Sequence, residues 1–337
     1  MALLEVKDLE VGFGLRSGEV KALRNISFSL ERGERLGVVG ESGAGKSVLG
    51  FAILNLLSRP GYISNGEISF EGKNLADLSA AELRSVRGNR ISMIFQDPMM
   101  TLNPVLTIGE QMVECLLAHH KISKQDARKI ALQKLQQVYI PSPETRLDQY
   151  PHELSGGMRQ RIVIAIGLLM DPDIIIADEP TTALDVTIQA EIMELMLELC
   201  ERNNVALILI THDLGVVSQV TQKTIVMYAG RIIEQGPTKE IINDAQHPYT
   251  QGLMNALPQM GIPGQRLNQI RGSMPPLQRI PTGCAFNPRC NYVMESCKHN
   301  LPEFTQSGGC QVACHMVAEM KREEQAARLQ SQEVGQE

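Results

Sequence analysis

The sequence predicts an α/β fold built on a parallel sheet with helices on both faces, and three observations carry that prediction. Uninterrupted apolar runs occur at Leu36-Gly37-Val38-Val39, Ile174-Ile175-Ile176-Ala177 and Val205 to Ile210, without the alternation of a half-solvated strand. Helical periodicity follows the first at Val48 to Leu57 and the second at Val186 to Arg202. Polar chemistry gathers where the three runs end, at Gly40 to Ser47, Asp178-Glu179 and His212. In open α/β sheets, ligands bind at that edge.

Size and charge narrow the class. A chain of 337 residues implies a large domain plus an extension. With 43% hydrophobic and 21% charged residues, wholesale disorder is excluded. The formal net charge of −6 offers no general attraction to nucleic acid or anionic lipid, so no nucleic-acid partner is expected. Met1-Ala2-Leu3-Leu4-Glu5 has no basic start, and the most continuous apolar run, Ile162 to Met170, is about half of the ~20 residues a membrane span requires. The expectation is a cytosolic or peripheral chain whose membrane pore, if any, belongs to another subunit. Seven cysteines in that setting read as thiols or metal ligands rather than disulfides.

In chain order, Leu3 to Val11 and Val20 to Leu30 alternate, predicting two antiparallel edge strands. Phe13 between them is, on spacing alone, a half-buried aromatic; the alternative is a ring stacking on a nucleotide base. Gly40-Glu41-Ser42-Gly43-Ala44-Gly45-Lys46-Ser47 then reads G-x-x-x-x-G-K-S, a phosphate-binding loop between strand and helix. The glycines let successive N–H groups approach phosphate oxygens, and the new helix adds its positive end. Lys46 supplies a point charge for the β and γ phosphates, and the Ser47 hydroxyl a ligand for Mg²⁺.

Asn65-Gly66 is a turn signal before a short strand at Glu67 to Glu71, with a helix at Ala80 to Val86 and a strand at Ile91 to Phe95. Gln96 at that strand's end is either a cap or a group reaching a metal or water beside the phosphates, and Pro98 and Pro104 keep the next segment out of helix. Thr107 to Val138 is helical, with Ser123 a cap. Its adjacent His119 and His120 point different ways and read as solvated or satisfied side chains.

Leu154-Ser155-Gly156-Gly157-Met158 opens another helix and forms a second anion-binding helix start. A protein with one nucleotide pocket has no evident need for two. Asp178 can hold Mg²⁺ and Glu179 can accept a proton from, or orient, an attacking water. Ala183-Leu184-Asp185 caps the next helix, and Thr211-His212-Asp213 carries a histidine to the same sheet edge. Lys223 to Tyr228 and Arg231 to Gln235 read as a hairpin, followed by a helix at Pro237 to Asn243.

Together these residues resemble the ATP-binding cassette (ABC) ATPases over roughly residues 3 to 260. The cassette's parts occur in order: Phe13 as the aromatic loop, Walker A at Gly40 to Ser47, Gln96, the signature Leu154 to Met158, Walker B ending in Asp178, Glu179, Ala183 to Asp185, and His212. Gln96 to Pro104, Asp178 to Thr187 and His247-Pro248-Tyr249-Thr250 are similar to the peptide and nickel importer ATPases, the dipeptide and oligopeptide permease type. Met158, where many cassettes have glutamine, is familiar there.

The resemblance implies a P-loop NTPase core with an antiparallel β subdomain, an α-helical signature subdomain and a C-terminal cysteine-containing extension. The implied boundaries are 1–257 for the ATP-binding domain (helical part about 97–170), 258–316 for the extension and 317–337 for a polar tail. ATP is implied between one chain's Gly40, Ser42, Gly43, Ala44, Gly45, Lys46 and Ser47 and the Ser155, Gly156 and Gly157 of a second ATPase chain, commonly a different one. Ser47, Gln96 and Asp178 would hold Mg²⁺, Glu179 polarise water and His212 bridge to the γ-phosphate. The implied partners are two transmembrane permease subunits and, indirectly, an extracytoplasmic solute-binding protein, with this chain peripheral on the cytoplasmic face of the cell membrane. A soluble cassette acting in translation or DNA repair usually has tandem cassettes, coiled coils or basic arms, and a guanine-reading Asn-Lys-x-Asp motif is absent.

The extension contains Cys284, Cys290, Cys297, Cys310 and Cys314, spaced without the C-x2-C knuckle of ordinary zinc sites. The resemblance implies a [4Fe-4S] cluster on Cys284, Cys290, Cys297 and Cys314, with Cys310 extra; zinc and simple thiols are the alternatives. Cys115 and Cys200 lie in helical stretches and read as packing residues.

Overall fold

Alternation in the first thirty residues builds β1 (Leu4–Leu15) and β2 (Gly18–Leu30) as an antiparallel pair, before the chain crosses to a second sheet at β3 (Arg35–Val39) and turns into α1 (Lys46–Ile53). The structure is a computed structural model and describes residues 2–16, 18–182, 184–256 and 269–323. Ala183, the junction near residue 257 and most of the predicted tail lie outside the described residues.

The chain returns to the first sheet through β4 (Gly61–Phe70) and β5 (Lys73–Asn74), then runs through α2 (Ala80–Val86) to β6 (Ile91–Ile94). Helices α3 (Pro98–Thr101), α4 (Ile108–His119), α5 (Lys124–Gln137), α6 (Pro143–Arg146) and α7 (Gly156–Gly167) follow in succession. Next come β7 (Ile174–Asp178), α8 (Val186–Asn203), β8 (Ala206–Thr211), α9 (Leu214–Val220), β9 (Lys223–Tyr228) and β10 (Arg231–Pro237). The last elements are α10 (Thr238–Asn243), α11 (Pro248–Asn255), α12 (Glu295–His299), β11 (Phe304–Ser307) and β12 (Cys310–Ala313).

The antiparallel sheet has the order β2-β1-β4-β5, and the main sheet the order β11-β12-β10-β9-β3-β8-β7-β6. Within the main sheet β6, β7, β8, β3 and β9 are parallel, with β3 bonded on both sides. Both faces of these strands are covered, which explains their unbroken apolar sequence. Ile175, Ala177, Leu207 and Leu209 join a core with α4, α5, α7 and α8, whereas Ile174, Ile176, Ile208 and Ile210 join one with the antiparallel sheet and α1. Each fully buried Ile or Leu contributes about 1.5–3 kcal/mol.

Four local differences from the sequence reading have physical causes. The two N-terminal strands are longer than expected and belong to their own sheet. Pro98 does not exclude helix, because it occupies the first turn of α3, where its missing N–H has no role, with Asp97 accepting from the Met99 N–H at 2.8 Å. The hairpin of β11 and β12 pairs onto β10 and extends the main sheet. Asn65-Gly66 is not a hairpin turn but lies inside β4 opposite a bulge in β1: Lys7 pairs with Glu67 and Glu10 with Asn65, so Asp8 and Leu9 face Gly66 alone.

Gly66 has φ +90, and a Cβ there would lie 2.5 Å from the carbonyl oxygens of Lys7 and Asp8. Gly66→Ala is therefore expected to destabilise the protein by about 1–3 kcal/mol. A lower denaturation midpoint than wild type is the expected result, and an unchanged midpoint would show that the bulge relaxes freely.

Candidate functional site

The loop after β3 is shaped by the strands pressed against it. Gly40 has φ +156, and a Cβ would lie 2.4 Å from the Met227 carbonyl oxygen of β9; Gly45 has φ +102, and a Cβ would lie 2.9 Å from Leu23 of β2. A side chain at Gly40 would have to move β9, and one at Gly45 would have to displace the Leu23 side chain. Ala44 is buried, and its carbonyl accepts the Gly230 N–H at 2.9 Å.

Lys46, the first residue of α1, folds back into this loop and is 5% exposed. Its Nζ donates to the carbonyl oxygens of Gly40 at 2.8 Å and Glu41 at 3.2 Å, with Glu179 Oε1 at 3.9 Å. Burial pulls the lysine's pKa down, against the opposing charges of Glu179, Asp178 and Glu41.

Asp178, the last residue of β7, is 4% exposed and accepts from the Ser47 hydroxyl at 3.1 Å. Burial raises its carboxyl above the ordinary range, the Ser47 bond lowers it, and neighbouring Glu179 adds to the rise. Glu179 turns the chain at φ +45, anchored by its N–H to the Ile210 carbonyl at 2.8 Å. Its Oε2 accepts from Gln96 Nε2 at 3.1 Å and from Thr182 Oγ1 at 3.0 Å, and its Oε1 lies 3.4 Å from His212 Nδ1.

The strand ends thus bring Lys46, Ser47, Gln96, Asp178, Glu179 and His212 together. Glu41, Ser42, Gly43, Gly45, Lys46, Ser47, Gln96, Glu179 and His212 line a cavity of about 560 Å³. Phe13 does not line it: its ring packs against Gly61 of β4, where a Cβ would lie 2.8 Å from Cε1. Ser155, Gly156 and Gly157 do not line it either. Ser155 caps α7, accepting the Met158 N–H at 3.3 Å; Ser155 and Gly156 are exposed and Gly157 faces Ile188. Sequence reasoning missed Thr182 and the contacts that hold Glu41. Thr182 had a local signal, a hydroxyl three residues beyond Glu179, but those of Glu41 come from residues more than two hundred positions away.

Two family models match the chain: ABC transporter over residues 23–182, and oligopeptide/dipeptide transporter, C-terminal region, over residues 233–297. The oligopeptide transport ATP-binding protein OppD of Bacillus subtilis is 52% identical over 87% of this chain and 82% of its own length. This chain belongs to the ABC transporter ATPase family. The dipeptide transport ATP-binding protein DppD of Haemophilus influenzae is 47% identical over 94% of this chain and 96% of its own. Among solved structures, a dimeric ATP-binding cassette, MJ0796, in a post-hydrolysis state with ADP and Pi, matches with TM-score 0.63 at 28% identity, over 70% of this chain and 98% of that one. Structure cbiO1 from Clostridium perfringens, part of the ABC transporter complex cbiONQ, matches with TM-score 0.62 at 31% identity, over 72% and 91%. As a member of the family the chain is a transport-coupled ATPase.

The cysteine reading requires correction. Among the described residues no group of three or more His, Cys, Asp or Glu side chains is placed to hold a metal ion, so neither the [4Fe-4S] cluster on Cys284, Cys290, Cys297 and Cys314 nor the zinc alternative stands. Cys284, Cys290 and Cys314 share an apolar cluster with Phe286, Val312 and Ile280. Burial pushes the Cys284 thiol up to about 11, and raises Cys290 and Cys314. Cys200 is buried as expected, but Cys115 is exposed.

Cys284 is accordingly expected to alkylate slowly. Against an ordinary thiol near 8.5, its thiolate fraction at pH 8 is lower on the order of 100-fold. Peptide mapping after timed iodoacetamide treatment of the folded chain should show Cys284 lagging free cysteine by that order; equal rates would contradict the burial argument.

Proposed function

We propose that this chain is the ATP-hydrolysing subunit of an importer that takes up di- or oligopeptides, or a related solute. The cargo class rests on the likeness to ATP-binding proteins named for oligopeptide and dipeptide transport. The catalytic reading rests on Lys46, Ser47 and Glu179 lining one cavity at the strand ends, with Asp178 hydrogen-bonded to Ser47. The loop N–H groups and Lys46 receive the β and γ phosphates of ATP, where a buried cation lacks a strong anionic partner.

The oxygen donors Ser47 and Asp178, already 3.1 Å apart, suit a hard cation, and Gln96 is within reach of the same region. When bound there, Mg²⁺ neutralises charge on the phosphates. Glu179, steered by Gln96, Thr182 and His212, accepts a proton from the attacking water or orients it, and His212 then faces the γ-phosphate. Ser155, Gly156 and Gly157 serve the site of a partner chain, which agrees with the exposure of Ser155 and Gly156 and the absence of all three from this chain's own cavity. That partner is a second ATPase chain, in this reading a paralogue. Two permease subunits carry the membrane path, supplied by an extracytoplasmic solute-binding protein, and this chain sits peripherally on the cytoplasmic face. Among the described residues no helix is long and apolar enough to cross a membrane.

Glu179→Gln tests the assignment with little change of shape. Phosphate release in the assembled transporter is expected to fall about 100-fold or more, with ATP still bound. Undiminished turnover would remove Glu179 from its role.

A further inference from the structure

The phosphate loop is gripped from behind by the C-terminal segment. Arg289, with 7% of its side chain exposed, donates from Nη1 to Glu41 Oε2 at 2.9 Å and from Nη2 to Glu41 Oε1 at 3.0 Å. This is a two-pronged guanidinium–carboxylate pair. Its Nε donates to the Arg271 carbonyl at 2.8 Å, Nη1 also to the Tyr228 hydroxyl at 3.3 Å, and Nη2 to the Gly272 carbonyl at 3.4 Å. All five guanidinium donors are therefore used, an arrangement that lysine cannot reproduce. The rings of Tyr228 and Phe286 lie 5.8 and 5.9 Å from the guanidinium carbon.

Glu41 is equally committed. Its N–H donates to the Tyr249 hydroxyl at 2.9 Å, and its carbonyl accepts from Lys46 Nζ at 3.2 Å. It also lines the cavity. A carboxylate in a loop that receives a polyanion opposes binding unless its charge is neutralised and its direction fixed. The Arg289 fork does both.

We infer that Arg289 is a positioning residue for nucleotide binding, which turns the Glu41 carboxylate away from the phosphates and cancels its charge. The C-terminal segment thereby sets the affinity of a loop far from it in sequence. The coupling is reciprocal, so nucleotide in the cavity steadies the chain around Arg289.

This inference rests on reading the cavity as the ATP site. The test is binding of a fluorescent, non-hydrolysable ATP analogue, with Mg²⁺, to the full chain. Arg289→Ala is expected to weaken binding about tenfold, within the usual range of site-to-site coupling. In ATPase assays it should raise KM more than it lowers kcat. Adding Glu41→Gln to Arg289→Ala removes the uncancelled charge and should restore affinity to within about threefold of wild type, a rescue that a merely structural staple would not show. Wild-type affinity in Arg289→Ala, or a double variant no better than the single one, overturns the inference. A wild-type chain that does not bind the analogue overturns the site reading itself. Should Arg289→Ala not fold, wild type decides: amide exchange over residues 284–290 should slow when the analogue binds, and equal rates overturn the inference.

Discussion

Lys46 carries an ammonium group into a site that leaves 5% of the residue exposed. Burying a charge costs several kcal/mol unless it is paired and hydrogen-bonded, and here the compensation is incomplete. Two carbonyl oxygens accept its protons, while the nearest carboxylate oxygen stands at 3.9 Å. The rest of the site is arranged around that charge. β3 delivers the loop, β9 and β2 force its glycines into shape, and β7 and β8 end with Asp178 and Glu179 on one side and His212 on the other. A phosphate chain would complete the electrostatics that the fold leaves open.

The sheet faces show how sequence reaches that geometry. Because both sides of β7 and β8 are covered, their apolar runs are unbroken, and the first polar residues after them emerge together at one edge. That is why the sequence alone assigns Gly40 to Ser47, Asp178-Glu179 and His212 to one place. The capping of α5 by Ser123 and of α8 by Asp185 was equally local and equally legible.

What was not legible depends on distant contacts. Asn65-Gly66 has the dipeptide of a hairpin turn, but β1 runs past it, paired with β4 on both sides and bulging opposite Gly66. The β11–β12 hairpin is too short to be recognised alone and becomes a sheet edge only by pairing with β10. The family resemblance implied a metal on the clustered cysteines, yet among the described residues no group is placed to hold one, and Cys284, Cys290 and Cys314 sit in an apolar cluster. Arg289 and Glu41 are 248 residues apart, so no local pattern could have joined them.

Two halves of the cassette's chemistry lie apart on the same chain. The loop cavity gathers the catalytic groups, whereas the α7 start presents Ser155 and Gly156 to the outside. In the proposed assembly that exposure is the surface offered to a second chain, and the loop is judged as half of a shared site. The claim on which this stands is that Ser47 and Asp178 join a metal to the phosphates held by Lys46. Titration of ATP affinity against Mg²⁺ concentration, for wild type and Asp178→Asn, tests it most directly. Affinity that rises with Mg²⁺ in wild type, with the dependence lost in the variant, is the predicted result; the same dependence in both would contradict the account.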